Sequence, residues 1–463
     1  MWSYRIVRIE RLKLYEHKMF IDTEVIVSNS EQKGNLKTVV IGPNGAGKSS
    51  FLSCICDIFL CELSANAAKK KKIISTIGFK YELKLTNGRI VSESSDNDYF
   101  KKNKILAVTN SYKDKFYFPT KNGIRNSPNY IYLGLRSASN NIFFSNVNDD
   151  MLKYLITILL DEKKKDSAVK VLNELNFKRS VGIVIKKGKN YNKFFEKDNV
   201  RSSLSDGSLN RFLSSEYYIG NESDIFSILS DFNQSKYADL NFNLGNDDDN
   251  SDVNTLDIVL KLVDARILSV ERLSLFSHDG YDINEASSGE FNILRVMLSI
   301  IANIDDNSLI LIDEPEISLH PNWQIEFCRL LDLAIENFTG CHTIIATHSH
   351  FILSNLSKLS STIISMQLST LNRKVYLQNT YPESFGMSPE NTLYTFFGIT
   401  GYNNKYFEQD LRILFDYMTN HNVENYSLFE KAFYRLNRFD FDESNPIKNT
   451  LKAAEEIVKK ENL

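Results

Sequence analysis

The sequence predicts an α/β protein built on a mixed sheet, and three observations carry that expectation. A β-branched run, Thr38-Val39-Val40-Ile41, breaks into the glycine-rich turn Gly42-Pro43-Asn44-Gly45-Ala46-Gly47 and then into a helical pattern from Lys48. Two more apolar runs, Ser308 to Ile312 and His342 to Ala346, end in the polar tips Asp313-Glu314 and Thr347-His348. Uninterrupted apolar runs suit strands buried on both faces of a parallel sheet, whose C-terminal edge then displays the polar groups.

The elements follow in chain order. Tyr4 to Leu14 and Ile21 to Val27 alternate polar and apolar residues, an antiparallel start that feeds the Thr38 strand. After the turn, Phe51, Leu52, Ile55, Ile58, Phe59 and Leu63 share one helical face, and the helix is expected to end near Ser64-Ala65-Asn66. Lys69 to Lys72 reads as a solvated helix end. Ile73 to Leu85, Lys104 to Thr109 and Asn129 to Gly134 read as further strands. From about Asn141 to Asp282 the pattern turns mainly helical, with Met151 to Leu160, Ser167 to Phe177 and Asp257 to Leu268 as the main stretches. Asp247-Asp248-Asp249 lacks the glycine and terminal glutamate of a calcium loop and reads as a solvated connection. The C-terminal part is helical over Tyr406 to Met418, Leu428 to Leu436 and Pro446 to Lys460. The expected division is a first lobe over 1–140, the helical insertion over 141–282, a second lobe over 283–385, and a helical segment over 386–463 for oligomer or partner contacts.

Composition sets bounds on the function. The chain has 463 residues, enough for one large core or two to three smaller ones. Its 55 basic and 58 acidic residues leave a charge of −3, so no overall basic excess marks a nucleic-acid binder. Cys54, Cys56, Cys61, Cys328 and Cys341 form neither a Cys-x-x-Cys pair nor a zinc spacing, and they read as reduced thiols of a cytoplasmic protein. Met1 to Met19 lacks the apolar core of a signal peptide, and no run of about 18 apolar residues predicts a membrane span.

The glycine-rich turn has the chemistry of a phosphate loop. Gly42, Gly47, Lys48 and Ser49 stand at P-loop spacing, within a loop running through Pro43, Asn44, Gly45 and Ala46 to Ser50. Its backbone N–H groups and the following helix N-terminus would cradle the phosphates of ATP. Lys48 would reach the β- and γ-phosphates, and the Ser49 hydroxyl would ligate Mg²⁺. Asp313 would hold the same Mg²⁺, and Glu314 would orient or deprotonate the attacking water. Ser288 and Gly289 open a helix over Phe291 to Ala302, a further anion site. His348 could hydrogen-bond a γ-phosphate, whereas His348-Ser349-His350 would be a poor metal site.

Taken in order, the P-loop, Ser288-Gly289-Glu290, Asp313-Glu314, Ser318-Leu319-His320-Pro321 and His348 resemble the ABC ATPase head, as Walker A, signature, Walker B, D-loop and H-loop. The Q-loop glutamine has no clear counterpart; the tip after Leu135, around Arg136-Ser137, is the candidate. The large insertion and the Asp313 to Pro321 string are similar to the soluble branch that includes structural-maintenance-of-chromosomes, RecF and overcoming-lysogenization-defect ATPases. Within that branch, Lys104 to Phe116 and Tyr130 to Arg136 resemble the ATPase subunit of Septu and retron-associated anti-phage systems. The resemblance implies ATP and Mg²⁺ as ligands and a head-to-tail dimer or higher oligomer in which Ser288 and Gly289 contact the γ-phosphate of another copy. It also implies a separate nuclease effector, HNH-type by preference, with DNA or a phage component as a further partner.

No nuclease activity is expected of the chain itself. Asp440-Phe441-Asp442 has the letters of a TOPRIM motif in helical, polar surroundings, and no His-Asn-His constellation appears. Two other functions stay open: a RecF-like DNA repair or loading ATPase, and a PARIS-like ATPase that sequesters a TOPRIM toxin.

Overall fold

The computed structural model describes residues 8–17, 19–29, 32, 34–63, 67–78, 80–93, 100, 102–111, 113–119, 127–136, 147–191, 237–244, 250–264, 266–357, 359–368, 375–380, 405–420, 426–439, 441 and 446–461. Asp247-Asp248-Asp249, Ser137, Asp440 and Asp442 lie outside them.

The stretch expected as the first lobe runs β1 (Ile9–His17), β2 (Phe20–Ile26), β3 (Leu36–Ile41), α1 (Lys48–Glu62), α2 (Ala67–Ile77), β4 (Tyr81–Leu85), β5 (Ile90–Ser92), β6 (Ile105–Thr109) and β7 (Tyr130–Leu133). The stretch expected as the insertion contributes α3 (Val147–Leu159), α4 (Glu162–Glu174), β8 (Phe177–Lys187), β9 (Tyr237–Asn243), α5 (Asn250–Asp264) and β10 (Leu268–Ser277). The stretch expected as the second lobe adds α6 (Ser288–Asn303), β11 (Leu309–Asp313), α7 (Pro321–Ile335), β12 (His342–Ala346), β13 (Ser361–Leu368) and β14 (Val375–Thr380). The helices α8 (Lys405–Asn420), α9 (Tyr426–Leu436) and α10 (Pro446–Glu461) follow.

A seven-stranded sheet of order β14-β13-β3-β12-β11-β6-β7 is the spine, parallel except for β14. Both of its faces are covered, which is why its strands read as unbroken apolar runs. Leu309 and Leu311 of β11 face the core that contains α1 and β1, whereas Ile310 and Ile312 face the core that contains α6 and the insertion helices. A second, antiparallel sheet, β2-β1-β4-β5, closes over the α1 side. The fold is thus the α/β class that the sequence predicts. The C-terminal helices bury a core of their own around Leu414, Phe429, Phe433, Leu451 and Val458, and Arg435 forms two 2.6 Å bonds to the buried Asp410 beside it. Among the described residues no helix is long and apolar enough to cross a membrane.

Three local expectations need correction. Ile73 to Ile77 closes α2 rather than opening a strand, so only Tyr81 to Leu85 of that stretch is β. The lysine run is not wholly solvated: Lys70 is buried and sits 2.8 Å from the buried Glu62, to which the Tyr81 hydroxyl also donates (2.5 Å). The insertion also holds a three-stranded antiparallel sheet, β10-β8-β9, whose first strand begins at Phe177, where the helical reading ended. A helical i, i+4 pattern and a strand both explain a short apolar run, and here the pairing of β8 with β10 decides.

Candidate nucleotide-binding site

Four strands bring the site together. β3, β12, β11 and β6 are neighbours, so the loops after Ile41, Ala346, Asp313 and Thr109 emerge side by side at one edge. The loop after β3 needs glycine for two separate reasons. Gly47 has φ of 99°, and a Cβ there would lie 2.2 Å from the Met19 sulfur. Gly42 has φ of 150°, and a Cβ there would meet the Met366 carbonyl oxygen at 2.3 Å. L side chains rarely take such a backbone, and at Gly42 the close atom is backbone, which cannot move aside as the Met19 side chain can. Pro43, Asn44 and Gly45 are exposed at the tip, while Lys48 and Ser50 are buried at the start of α1.

Residues distant in sequence meet on this loop. Lys48 Nζ donates to the Gly42 carbonyl (2.8 Å) and the Pro43 carbonyl (3.2 Å) and lies 3.0 Å from His348 Nδ1. His348 Nε2 is 3.7 Å from Glu314 Oε1. Ser49 Oγ donates to Asp313 Oδ1 at 3.0 Å. These two hard oxygen donors, on a helix N-terminus and a strand end, suit a Mg²⁺ that keeps most of its waters. The lysine bonds to carbonyls at the loop mouth are ones that phosphate oxygens can replace. Glu314 has φ of 51°, a conformation unusual for a residue with a side chain and a form of strain that concentrates at working sites.

The charges are perturbed together. Burial pulls the Lys48 ammonium down to about 8, against the pull of Glu316, Glu314 and Asp313. Burial raises the Asp313 carboxyl to about 7, opposed by the Ser49 hydrogen bond and helped by the charge of Glu314. Burial, with the nearby Lys48, lowers His348 to about 4, so the ring is neutral at pH 7. With Lys48 donating to Nδ1, the ring proton lies on Nε2, aimed at the side where Glu314 stands.

Ser288 and Gly289 open α6 as expected, behind an N-cap at Ser287. Glu290 completes a capping box: its carboxylate accepts from the Ser287 N–H (3.0 Å), and the Glu290 N–H donates to Ser287 Oγ. Ser288 is exposed, whereas Gly289 is buried against the Ser318 carbonyl, 2.8 Å from where a Cβ would sit. Among the described residues no hydrogen bond joins Ser288 or Gly289 to the Gly42–Ser50 loop of the same chain.

Of the Q-loop candidate, Arg136-Ser137, only Arg136 is among the described residues. The strand beside β11 is β6, and its tip is Asn110, while Arg136 follows the edge strand β7. Asn110 Oδ1 accepts from Arg295 of α6 (2.6 Å). Arg136 is taken up by Asp114 (2.6 Å) and Tyr132 (3.0 Å). Glu316 and Gln324 belong to no motif that assigns them a role in the sequence. Glu316 accepts from the His348 N–H (2.5 Å) and the Thr347 hydroxyl (2.8 Å), and Gln324 bonds to Ser349 (2.5 Å) and the Leu319 carbonyl (2.9 Å). A second glutamate in the Asp313 to Glu316 string was the only available signal.

A glycine-rich phosphate loop, the Asp313-Glu314 strand end and His348, brought together at one edge of a parallel sheet, mark the P-loop ATPase class. The chain belongs to the family described as "AAA domain, putative AbiEii toxin, Type IV TA system", whose model matches residues 37–354. It is similar to a crystal structure of an SMC head bound to the C-winged helix domain of ScpA, at 13% identity and a TM-score of 0.33, over 81% of this chain and 98% of that one. It is also similar to the SMC head domain from Thermotoga maritima, at 10% identity and a TM-score of 0.32, over 81% and 99%. A nucleotide-free ATP-binding cassette from an ABC transporter matches at 12% identity and a TM-score of 0.30, over 81% and 92%. No curated protein matches the sequence.

Proposed function

We propose that this chain binds ATP with Mg²⁺ at the edge described above, hydrolyses it when a second copy supplies Ser288 and Gly289, and thereby controls a separate nuclease in an anti-phage defence complex. The convergence of Lys48 and His348, 300 residues apart in sequence, on one phosphate loop is the observation that carries the reading. Lys48 exchanges its carbonyl partners for β- and γ-phosphate oxygens. Ser49 and Asp313 would hold Mg²⁺, which would neutralise phosphate charge. Glu314 orients water for in-line attack on the γ-phosphorus and takes its proton as the bond to the ADP oxygen breaks. His348 offers its Nε2–H to the γ-phosphate. The helix N-terminus at Ser288 supplies the last anion contact from the other copy.

Support for a regulatory role comes from the two strings that carry the Septu-like resemblance. They meet in one cluster, where Asp114 accepts from Arg136 (2.6 Å) and Tyr132 (2.8 Å) and the adjacent Lys115 reaches Ser50 of α1 (2.7 Å). The family description names a toxin and so favours a second reading, in which this chain is itself the toxic component. Two experiments separate the readings. The purified chain should release phosphate from ATP in Mg²⁺ and lose nucleotide binding in Lys48→Ala; no binding by the wild type defeats both. Expression without any partner should leave growth unaffected, and growth arrest by the chain alone would favour the toxin.

A further inference from the structure

The turn that carries His348 has lost its sheet. β12 ends at Ala346, and the last ladder-like bond is from the Thr347 N–H to the Val40 carbonyl (3.0 Å). What fixes the next residue is a carboxylate: Glu316 Oε1 takes the His348 N–H (2.5 Å), and Oε2 takes the Thr347 hydroxyl (2.8 Å). That hydroxyl oxygen in turn accepts from the Ser349 N–H (2.9 Å). Ser349 Oγ donates to Gln324 Oε1 (2.5 Å), and Gln324 Nε2 donates to the Leu319 carbonyl (2.9 Å). The chain of bonds therefore starts and ends around one short segment, Glu316 to Leu319, itself closed by the Leu319 N–H on the Glu316 carbonyl (3.0 Å).

That segment touches the signature corner. Ser318 has φ of 65°, and its carbonyl lies where a side chain on Gly289 would have to go. The two polar side chains thus clasp the His348 turn to the surface on which Ser288-Gly289 rests. Bonds to a charged acceptor are short and directional, so this clasp fixes the position of the ring as well as that of the turn.

We infer that Glu316 and Gln324 are positioning residues that hold the His348 turn and the Ser318–Leu319 turn as one unit, setting turnover rather than nucleotide affinity. The inference rests on the proposed ATPase reading and touches no phosphate directly. Glutamine at position 316 can keep the clasp, since its carbonyl oxygen can accept from the His348 N–H while its amide donates to the Thr347 hydroxyl. Alanine cannot.

The full chain tests this as wild type, Lys48→Ala, Glu316→Ala, Glu316→Gln and Gln324→Leu. The measurements are affinity for a non-hydrolysable ATP analogue with Mg²⁺, kcat, and the shift of the ¹⁵N-labelled His348 ring on adding Mg²⁺ and that analogue. Glu316→Ala and Gln324→Leu are expected to hold the affinity within threefold, to lower kcat at least tenfold, and to blunt the ring shift. Glu316→Gln is expected to recover most of both. A parallel loss of affinity and kcat, a wild-type ring shift in Glu316→Ala, or a Glu316→Gln no better than alanine overturns the inference. Should Glu316→Ala not fold, a wild-type kcat and ring shift in Gln324→Leu overturn it. Lys48→Ala separates the two levels: undiminished affinity there defeats the nucleotide site, whereas its loss leaves the outcome at Glu316 and Gln324 to decide the clasp alone.

Discussion

Two histidines stand at opposite ends of the same strand. His342 begins β12 and is fully buried; Nδ1 accepts from the Ile9 N–H (3.1 Å), and Nε2 lies 2.9 Å from Thr38 Oγ1, whose hydroxyl donates to the Val27 carbonyl (2.6 Å). His348 follows the far end and is a third exposed, with Lys48 on one nitrogen and a carboxylate 3.7 Å from the other. Burial lowers both, His342 to about 3 with help from the charge of Arg8 and His348 to about 4 with help from Lys48. A depressed histidine is therefore no mark of function by itself. What separates them is whether the partners are finished: the N-terminal edge of the sheet closes its polar groups within the fold, and the C-terminal edge leaves them for a ligand.

The sharpest break of that comparison is a pair of alanines. His342→Ala leaves the buried Ile9 N–H without its acceptor, and the Thr38 hydroxyl with only its bond to Val27, beside a new cavity, and should cost about 3–5 kcal/mol in denaturant unfolding. His348→Ala should cost under about 1 kcal/mol. Comparable losses at the two positions would erase the distinction. Next in size, Glu314→Gln should lower hydrolysis by about 10²-fold or more while ATP stays bound, because it removes the proton acceptor and leaves the pocket intact. Turnover at the wild-type rate would reassign the base.

The pH dependence sharpens the comparison further. The folded value of His342 lies below its ordinary 6.5, so its contribution to stability is complete above about 6.5 and is lost as pH falls toward about 3. Raised carboxyls such as Asp313 work in the opposite direction, so the quantity to measure is the difference between wild type and His342→Gln. That difference should change by about 1.4 kcal/mol per pH unit between those limits and be flat above them. The smallest effect belongs to the signature corner: Glu290→Ala, which opens the capping box, should cost about 1 kcal/mol in thermal unfolding.

How much of this could be read in the residues follows the same division. The P-loop, Asp313-Glu314 and His348 were legible because strand, turn and chemistry are contiguous in sequence, and the order of β3, β12 and β11 places them together. Glu290 was legible as part of the Ser288-Gly289-Glu290 resemblance but not as a cap, since its reason is a bond back to Ser287. Lys70 looked like surface because its partner Glu62 belongs to another helix. The bond from Arg295 to Asn110 could not be read in the residues, since it joins α6 to the tip of β6. Glu316 and Gln324 act across turns that only tertiary structure joins.

The central claim, that the pocket at this edge is completed by another copy, has a direct test. Chains carrying Ser288→Cys and chains carrying Asn44→Cys, both also Glu314→Gln, are mixed under mild oxidation with and without Mg²⁺ and ATP. The account predicts an inter-chain disulfide between the two positions that forms with ATP and is absent without it. Saturating ATP binding with no such link would contradict it.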